Sequence, residues 1–87
     1  RLVEATSNQG GDRNTSTINQ TNSLVLANAS SSSATVTQNG DDNGSTVNQN
    51  GVALEATVIQ SGDDNTALLN QTGSGNTASA TQGGTLN

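Results

Sequence analysis

Glutamine returns along this chain at a fixed spacing. It recurs at every eleventh position, except for one longer interval between the second and the third glutamine. The glutamines are Gln9, Gln20, Gln38, Gln49, Gln60, Gln71 and Gln82. A constant period of this kind indicates a repeat protein, in which small units stack on their neighbours instead of folding around one core.

The positions before each glutamine alternate in character. Two residues back stand mostly Val, Ile or Leu, four residues back stand Ala or Ser, and six residues back stands most often Asn, with polar residues in between. Period-two alternation is typical of a β-strand with one buried face and excludes a helix. Glycine follows most glutamines by two residues, where a tight turn is needed. These turn glycines are Gly11, Gly40, Gly51, Gly62, Gly73 and Gly84.

Each 11-residue unit therefore predicts one strand and one turn, and two units predict a 22-residue coil. The expected fold is an all-β solenoid, a parallel cross-β stack of about four two-strand coils. We expect residues 1–87 to form a single domain, with regular repeats at 3–20 and 32–87 and an irregular segment at 21–31. That segment has room for a short strand near Ser23 to Ala27. With it the chain has eight arms in four coils, and without it seven arms and two uneven sheets.

Stacking of coils explains how so polar a chain can fold. Only 28% of the residues are hydrophobic, none is aromatic, and cysteine and histidine are absent, so neither a large core nor disulfides are available. Coils about 4.8 Å apart pair every backbone group with a neighbour, and buried amides are tolerated when identical amides lie above and below. The expected ladder and assembly residues are Gln9, Asn14, Gln20, Gln38, Asn43, Gln49, Gln60, Asn65, Gln71, Asn76 and Gln82, with an interruption at Leu54 in the Asn position.

The repeat resembles that of the curlin family, the subunits of curli amyloid fibres. The curlin-type pattern is Ser-x5-Gln-x-Gly-x-x-Asn-x-Ala-x3-Gln. Ser32, Gln38, Gly40, Asn43 and Gln49 match it, with Ser45 in the place of Ala. The chain departs from the family in lacking aromatic residues. The resemblance implies a secreted, extracellular structural protein of the bacterial cell surface or biofilm matrix, active in adhesion or aggregation. It also implies that the subunit folds as a β-solenoid and adds to a fibre end, with a nucleator subunit and secretion machinery as partners.

Self-assembly is the function that the repeats themselves favour. No proline and no capping segment interrupts the pattern, so the end strands are expected to stay open and to add further copies end to end. The alternative is a soluble monomeric β-solenoid that binds ice or calcium. Thr15 and Thr17 begin a threonine array of the ice-binding kind, which other residue types interrupt. The acidic turns at Asp41-Asp42 and Asp63-Asp64 could bind Ca²⁺, although solvated turns that keep fibres apart are the simpler interpretation.

Other classes of function are disfavoured. Without histidine, cysteine, lysine or tyrosine the chain lacks the usual general bases, so we expect no enzyme, no catalytic residue, no cofactor and no metal site. The net charge of −5 argues against nucleic-acid binding. Leu24-Val25-Leu26-Ala27 is the longest apolar run, which is too short for membrane insertion.

Overall fold

Every regular element in the described part of the chain is a β-strand. The computed structural model describes residues 3–21 and 32–86. The strands are β1 (Val3–Gly10), β2 (Thr15–Thr21), β3 (Ser32–Asn39), β4 (Gly44–Val52), β5 (Glu55–Asp63), β6 (Thr66–Ser74) and β7 (Thr77–Thr85). Within these residues, no helix is long and apolar enough to cross a membrane.

Successive strands alternate between two parallel sheets. One sheet has the order β1-β3-β5-β7 and the other has the order β2-β4-β6. The chain therefore crosses to the opposite sheet at each turn, and after two strands it returns to the first sheet one coil higher. This confirms the predicted β-solenoid, in which two 11-residue units make one coil.

The register is the one that the glutamine period predicts. Gln38 pairs with Gln60 and Gln49 with Gln71, so neighbouring coils are offset by two glutamine periods. Between the first two coils the offset is longer by the same amount in both sheets, as Gln9 pairs with Gln38 and Gln20 with Gln49. The extra residues lie in the connection from β2 to β3, so they leave the register intact. The short strand predicted near Ser23 to Ala27 lies outside the described residues.

The core is a thin layer between the two sheets. Val36, Val47 and Val58 are fully buried in the middle coils, next to small residues such as Ala34 and Ala56. The Oγ atoms of Ser7 and Ser16 are 2.6 Å apart in the first coil. The position two before glutamine in one sheet therefore faces the position four before glutamine in the other. In the middle coils a large side chain thus meets a small one, which lets the sheets pack closely.

The stack continues around the turns. The backbone N–H of Asp42 donates to the carbonyl of Asp12 at 2.9 Å, and the N–H of Asp64 donates to the carbonyl of Asp41 at 2.9 Å. On the opposite edge the N–H of Gly75 donates to the carbonyl of Val52 at 3.1 Å. Backbone hydrogen bonds therefore join neighbouring coils at the turns as well as along the strands.

Replacement of Ser45 by alanine should stabilise the fold. Ser45 is 4% exposed, and its Oγ has no hydrogen-bond partner among the described residues. Alanine occupies the same position in most other units, and a buried hydroxyl without a partner is destabilising. Ser45→Ala should raise the free energy of unfolding by about 1 kcal/mol. The measurement is urea unfolding of the monomeric protein, with a higher midpoint at an unchanged m-value.

The matched control is Ser16→Ala in the neighbouring coil, which removes a hydroxyl that is hydrogen-bonded to Ser7 and should bring no gain. A loss of stability in Ser45→Ala would contradict the assignment of an unsatisfied hydroxyl.

Candidate functional site

The glutamine side chains form two continuous columns of hydrogen bonds, one in each sheet. In the first column Nε2 of Gln9, Gln38 and Gln60 donates to Oε1 of the glutamine above, Gln38, Gln60 and Gln82, each at 2.8 Å. In the second column Gln20 donates to Gln49 at 2.7 Å and Gln49 to Gln71 at 2.8 Å. Every donor points toward the coil that holds β7.

From Gln38 to Gln82, each glutamine also donates an amide proton to a backbone carbonyl of the opposite sheet, which ties the two sheets together. Nε2 of Gln60 also donates to the carbonyl of Gly44 at 3.0 Å, and Nε2 of Gln49 donates to the carbonyl of Ser33 at 3.1 Å. These carbonyls lie at the start of the preceding strand, in the opposite sheet. Gln38 and Gln60 are fully buried, and they can be so because their amide groups are paired.

Asn14, Asn43 and Asn65 also lie above one another, but their side chains bond to the backbone. The N–H of Asn43 donates to Oδ1 of Asn14, and the N–H of Asn65 donates to Oδ1 of Asn43, both at 3.0 Å. Nδ2 of Asn43 donates to the carbonyls of Asn39 at 3.2 Å and Gly62 at 2.8 Å. The expectation of amide-to-amide bonds therefore fails for this column. These asparagines stand at the turns, just before β2, β4 and β6 begin, where backbone groups are nearer than the next amide.

Asn76 is separated from the other asparagines. Odd- and even-numbered strands begin at opposite edges of the solenoid, so the residue below Asn76 is Leu54 and the residue below Leu54 is Ser32. Nδ2 of Asn76 donates to the carbonyl of Thr72 at 2.9 Å. Leu54 is buried, and its N–H donates to Oγ of Ser32 at 3.2 Å. The described residues thus give Asn76 no asparagine neighbour.

The turn glycines have a backbone conformation that other residues rarely adopt. Their φ angles are 95° at Gly11 and Gly84, 103° at Gly62, 108° at Gly40, 113° at Gly73 and 144° at Gly51. Turns of adjacent coils also touch, and a Cβ on Gly40 would lie 2.0 Å from the carbonyl oxygen of Gly62. At Gly40, glycine is therefore required for both conformation and space. Four of these glycines fall within the strand bounds, since coil-to-coil pairing continues into the turns.

The charged residues of the turns bond to the turn of the next coil. Arg13 donates to both carboxylate oxygens of Asp42, at 2.7 and 2.8 Å. These hydrogen bonds hold the pKa of the Asp42 carboxyl below its usual value and raise the pKa of the Arg13 guanidinium. Both side chains are exposed, so the pair stabilises the fold little. Oδ1 of Asp41 accepts the N–H of Asp12 at 2.8 Å.

Among residues 3–21 and 32–86, no group of three or more His, Cys, Asp or Glu side chains is placed to hold a metal ion.

An amide column on the outer face was missed by the sequence analysis. Nδ2 of Asn19 donates to Oδ1 of Asn48, and Nδ2 of Asn48 donates to Oδ1 of Asn70, both at 2.8 Å and both exposed to solvent. The signal is present in the sequence, because asparagine stands directly before glutamine in these three units. It becomes visible only when units of the same sheet are compared with one another.

The repeats match a known family. The model of the curlin associated repeat matches residues 40–73 and 53–84. Together the two matches cover residues 40–84, just over half of the chain. The chain belongs to the curlin family. The curated proteins contain no match to it.

The stacked turns of this curlin-repeat chain should not tolerate a side chain at Gly40. Gly40→Ala places a methyl group against the carbonyl of Gly62 at a φ of 108°. We expect a loss of about 3 kcal/mol or more in the free energy of unfolding, measured by urea unfolding. The control is Gly44→Ala, because a Cβ on Gly44 has no neighbour within 4 Å among the described residues and its φ is ordinary. If the two variants were equally stable, the turns would not be in contact.

The buried glutamine column of this curlin-repeat chain should reject a carboxylate. Gln60→Glu replaces Nε2, which donates to Gln82 and Gly44, by an oxygen that faces two other oxygens. We expect a loss of about 2–4 kcal/mol at neutral pH, because a buried charge is left unpaired. Chemical unfolding of the monomer measures it.

Asn48→Asp makes the same chemical change in the exposed outer column and should cost less than about 1 kcal/mol. Equal losses in Asn48→Asp and Gln60→Glu would show that burial of the glutamine column is not what stabilises the coil.

Proposed function

We propose that this chain is the structural subunit of an extracellular, curli-like amyloid fibre and that its copies add end to end by strand stacking. The observation that carries the proposal is the pair of open ends. Within residues 3–21 and 32–86, β1 and β2 have no strand on their outer edges, and neither do β6 and β7. A strand edge with free N–H and C=O groups is a template for another strand.

The side chains at the ends support the same interpretation. In the middle coils the inward residues are buried, as in β3, whereas every residue of β1 except Gly10 is exposed, including Ala5 and Ser7 on its inner face. Ile18, Leu69 and Ala80 are only partly buried because no coil of the described chain covers them. A second copy with the same columns would cover these residues and extend both glutamine columns.

Within this proposal the predicted ladder and assembly residues hold the fibre together and take no part in catalysis. The turn glycines let successive coils approach closely. Membership of the curlin family supports secretion, a place in the biofilm matrix and a role in adhesion. It also supports a nucleator subunit and secretion machinery as further partners.

Assembly of the purified 87-residue chain tests the proposal. We expect unbranched fibres in electron micrographs and fibre-diffraction reflections near about 4.7 and 10 Å. Ala80→Asp should slow fibre growth at least about tenfold, because the half-buried Ala80 lies on the inner face of an end strand and addition would bury the charge.

Ser79→Asp on the outer face of the same strand is the matched control, and it should assemble like the parent chain. Circular dichroism of fresh monomer checks that both variants keep their sheets. A parent chain that remains monomeric at high concentration in sedimentation would refute the proposal and would favour a soluble binding module.

A further inference from the structure

The two ends of the solenoid are offset by half a coil. Within the described residues one sheet holds four strands and the other holds three, so β7 lies half a coil, here called one level, above β6. A copy added without rotation would place its β1 on β7. Its β2 would then lie above an empty level, and the edge of β6 would stay uncovered.

The glutamines show what each end lacks. Nε2 of Gln71 and of Gln82 each donates to one backbone carbonyl among the described residues, Glu55 and Thr66, both at 2.9 Å. The glutamines of the middle coils donate to a second partner, the glutamine above. At the other end Oε1 of Gln9 and of Gln20 accepts no hydrogen bond from the described residues. One end thus presents two amide donors, and the other presents two amide acceptors.

From this geometry we propose that successive copies in the fibre are related by a half turn about the fibre axis. This inference rests on the assembly proposed above. The half turn places β1 of the added copy on β6 and its β2 on β7. Gln9 then lies over Gln71 and Gln20 over Gln82, so both columns continue without an empty level. Odd- and even-numbered strands run in opposite directions, so the half turn also keeps each new pair of strands parallel.

The turn between β6 and β7 fits this arrangement. It reads Gly73-Ser74-Gly75-Asn76, and the turn between β1 and β2 reads Gly11-Asp12-Arg13-Asn14. The half-turn rotation places the β1–β2 turn of the added copy directly above the β6–β7 turn, with glycine over glycine and asparagine over asparagine.

Asn76 gains there the partners that it lacks in its own chain. Its Oδ1, which accepts no hydrogen bond from the described residues, receives the N–H of Asn14, as Oδ1 of Asn14 receives the N–H of Asn43. Its Nδ2 reaches the carbonyl of Gly11, as Nδ2 of Asn43 reaches the carbonyl of Gly62. Without the half turn, Val3 would lie over Asn76, so no asparagine would continue the column there.

The arrangement fixes the helical symmetry of the fibre. The described strands of one copy fill seven successive half-coil levels. At a coil spacing of about 4.8 Å, each copy would therefore advance the fibre by about 17 Å and rotate it by about 180°. Addition without rotation requires an advance of about 19 Å, because one level remains empty.

Disulfide cross-linking within fibres distinguishes the two arrangements, because the chain has no cysteine of its own. The register places outward residue 6 beside residue 68 of the copy below after a half turn, and beside residue 79 without one. All three positions are exposed. Fibres of Thr6→Cys/Leu68→Cys should oxidise to a ladder of covalent oligomers on a non-reducing gel, at least about tenfold more than fibres of Thr6→Cys/Ser79→Cys.

A second pair and the single variants complete the experiment. Thr17→Cys/Ser79→Cys should also cross-link, because the half turn places residue 17 over residue 79. Each single-cysteine variant should give no ladder. Fibres in which only the Thr6→Cys/Ser79→Cys pair cross-links, or in which neither half-turn pair does, would overturn the half turn and leave assembly standing. If the parent chain forms no fibres, the proposed function itself fails, and the half turn fails with it.

Discussion

The fold depends on one interaction, the hydrogen bond between the amides of glutamines one coil apart. A glutamine amide has two donor protons and one acceptor oxygen. Here one proton goes to the glutamine above and the other to a carbonyl of the opposite sheet, as at Gln60. Burial of so polar a group is tolerated only when its partners are supplied at the coil spacing. The glutamine column therefore fixes the register of the coils. This register aligns Val36 with Val58, and the core alone would be too thin to specify it.

The turns impose the second constraint, because they must repeat at the same height as the strands. A Cβ on Gly40 would collide with Gly62, and a Cβ on Gly62 would collide with Gly84, so neither glycine has room for a side chain. Asn43 binds the backbone of its own turn and of the turn above. A change in the length of a single turn would move one sheet against the other. The longer connection from β2 to β3 avoids this, because it falls after a complete coil and shifts the pairing of both sheets by the same amount.

The sequence predicted the coil, its inner face and the glutamine columns, because period two determines the face and the 11-residue period determines the register. It did not predict how each amide bonds. Asn43 and Gln49 carry the same functional group, but Asn43 stands in a turn, where its amide bonds to nearby backbone groups, whereas Gln49 stands within β4 and bonds to the glutamine above. A single alignment of all units puts Asn76 in the column of Asn65, but odd- and even-numbered strands begin at opposite edges, so the two asparagines lie at different edges. The same alignment of units from both sheets does not reveal the exposed column of Asn19, Asn48 and Asn70. In residues 21–31 the 11-residue period is lost, so the sequence pattern does not determine the path of this segment.

The interactions that form the middle of this solenoid are the same ones that a fibre of its copies would use. A coil at an end has its amides paired on one side only, and its apolar residues are half covered, as Ile18 and Leu69 show. Each added copy would turn two end coils into middle coils and leave one new end of the same kind at the growing tip. Growth would then be equally favourable at every step. The formation of the first stacked coils would be the unfavourable event, because those coils order many residues before either neighbour is present. The column residues repeat up to the last strand that the structure describes, so the described end strands keep free edges on which another copy could stack.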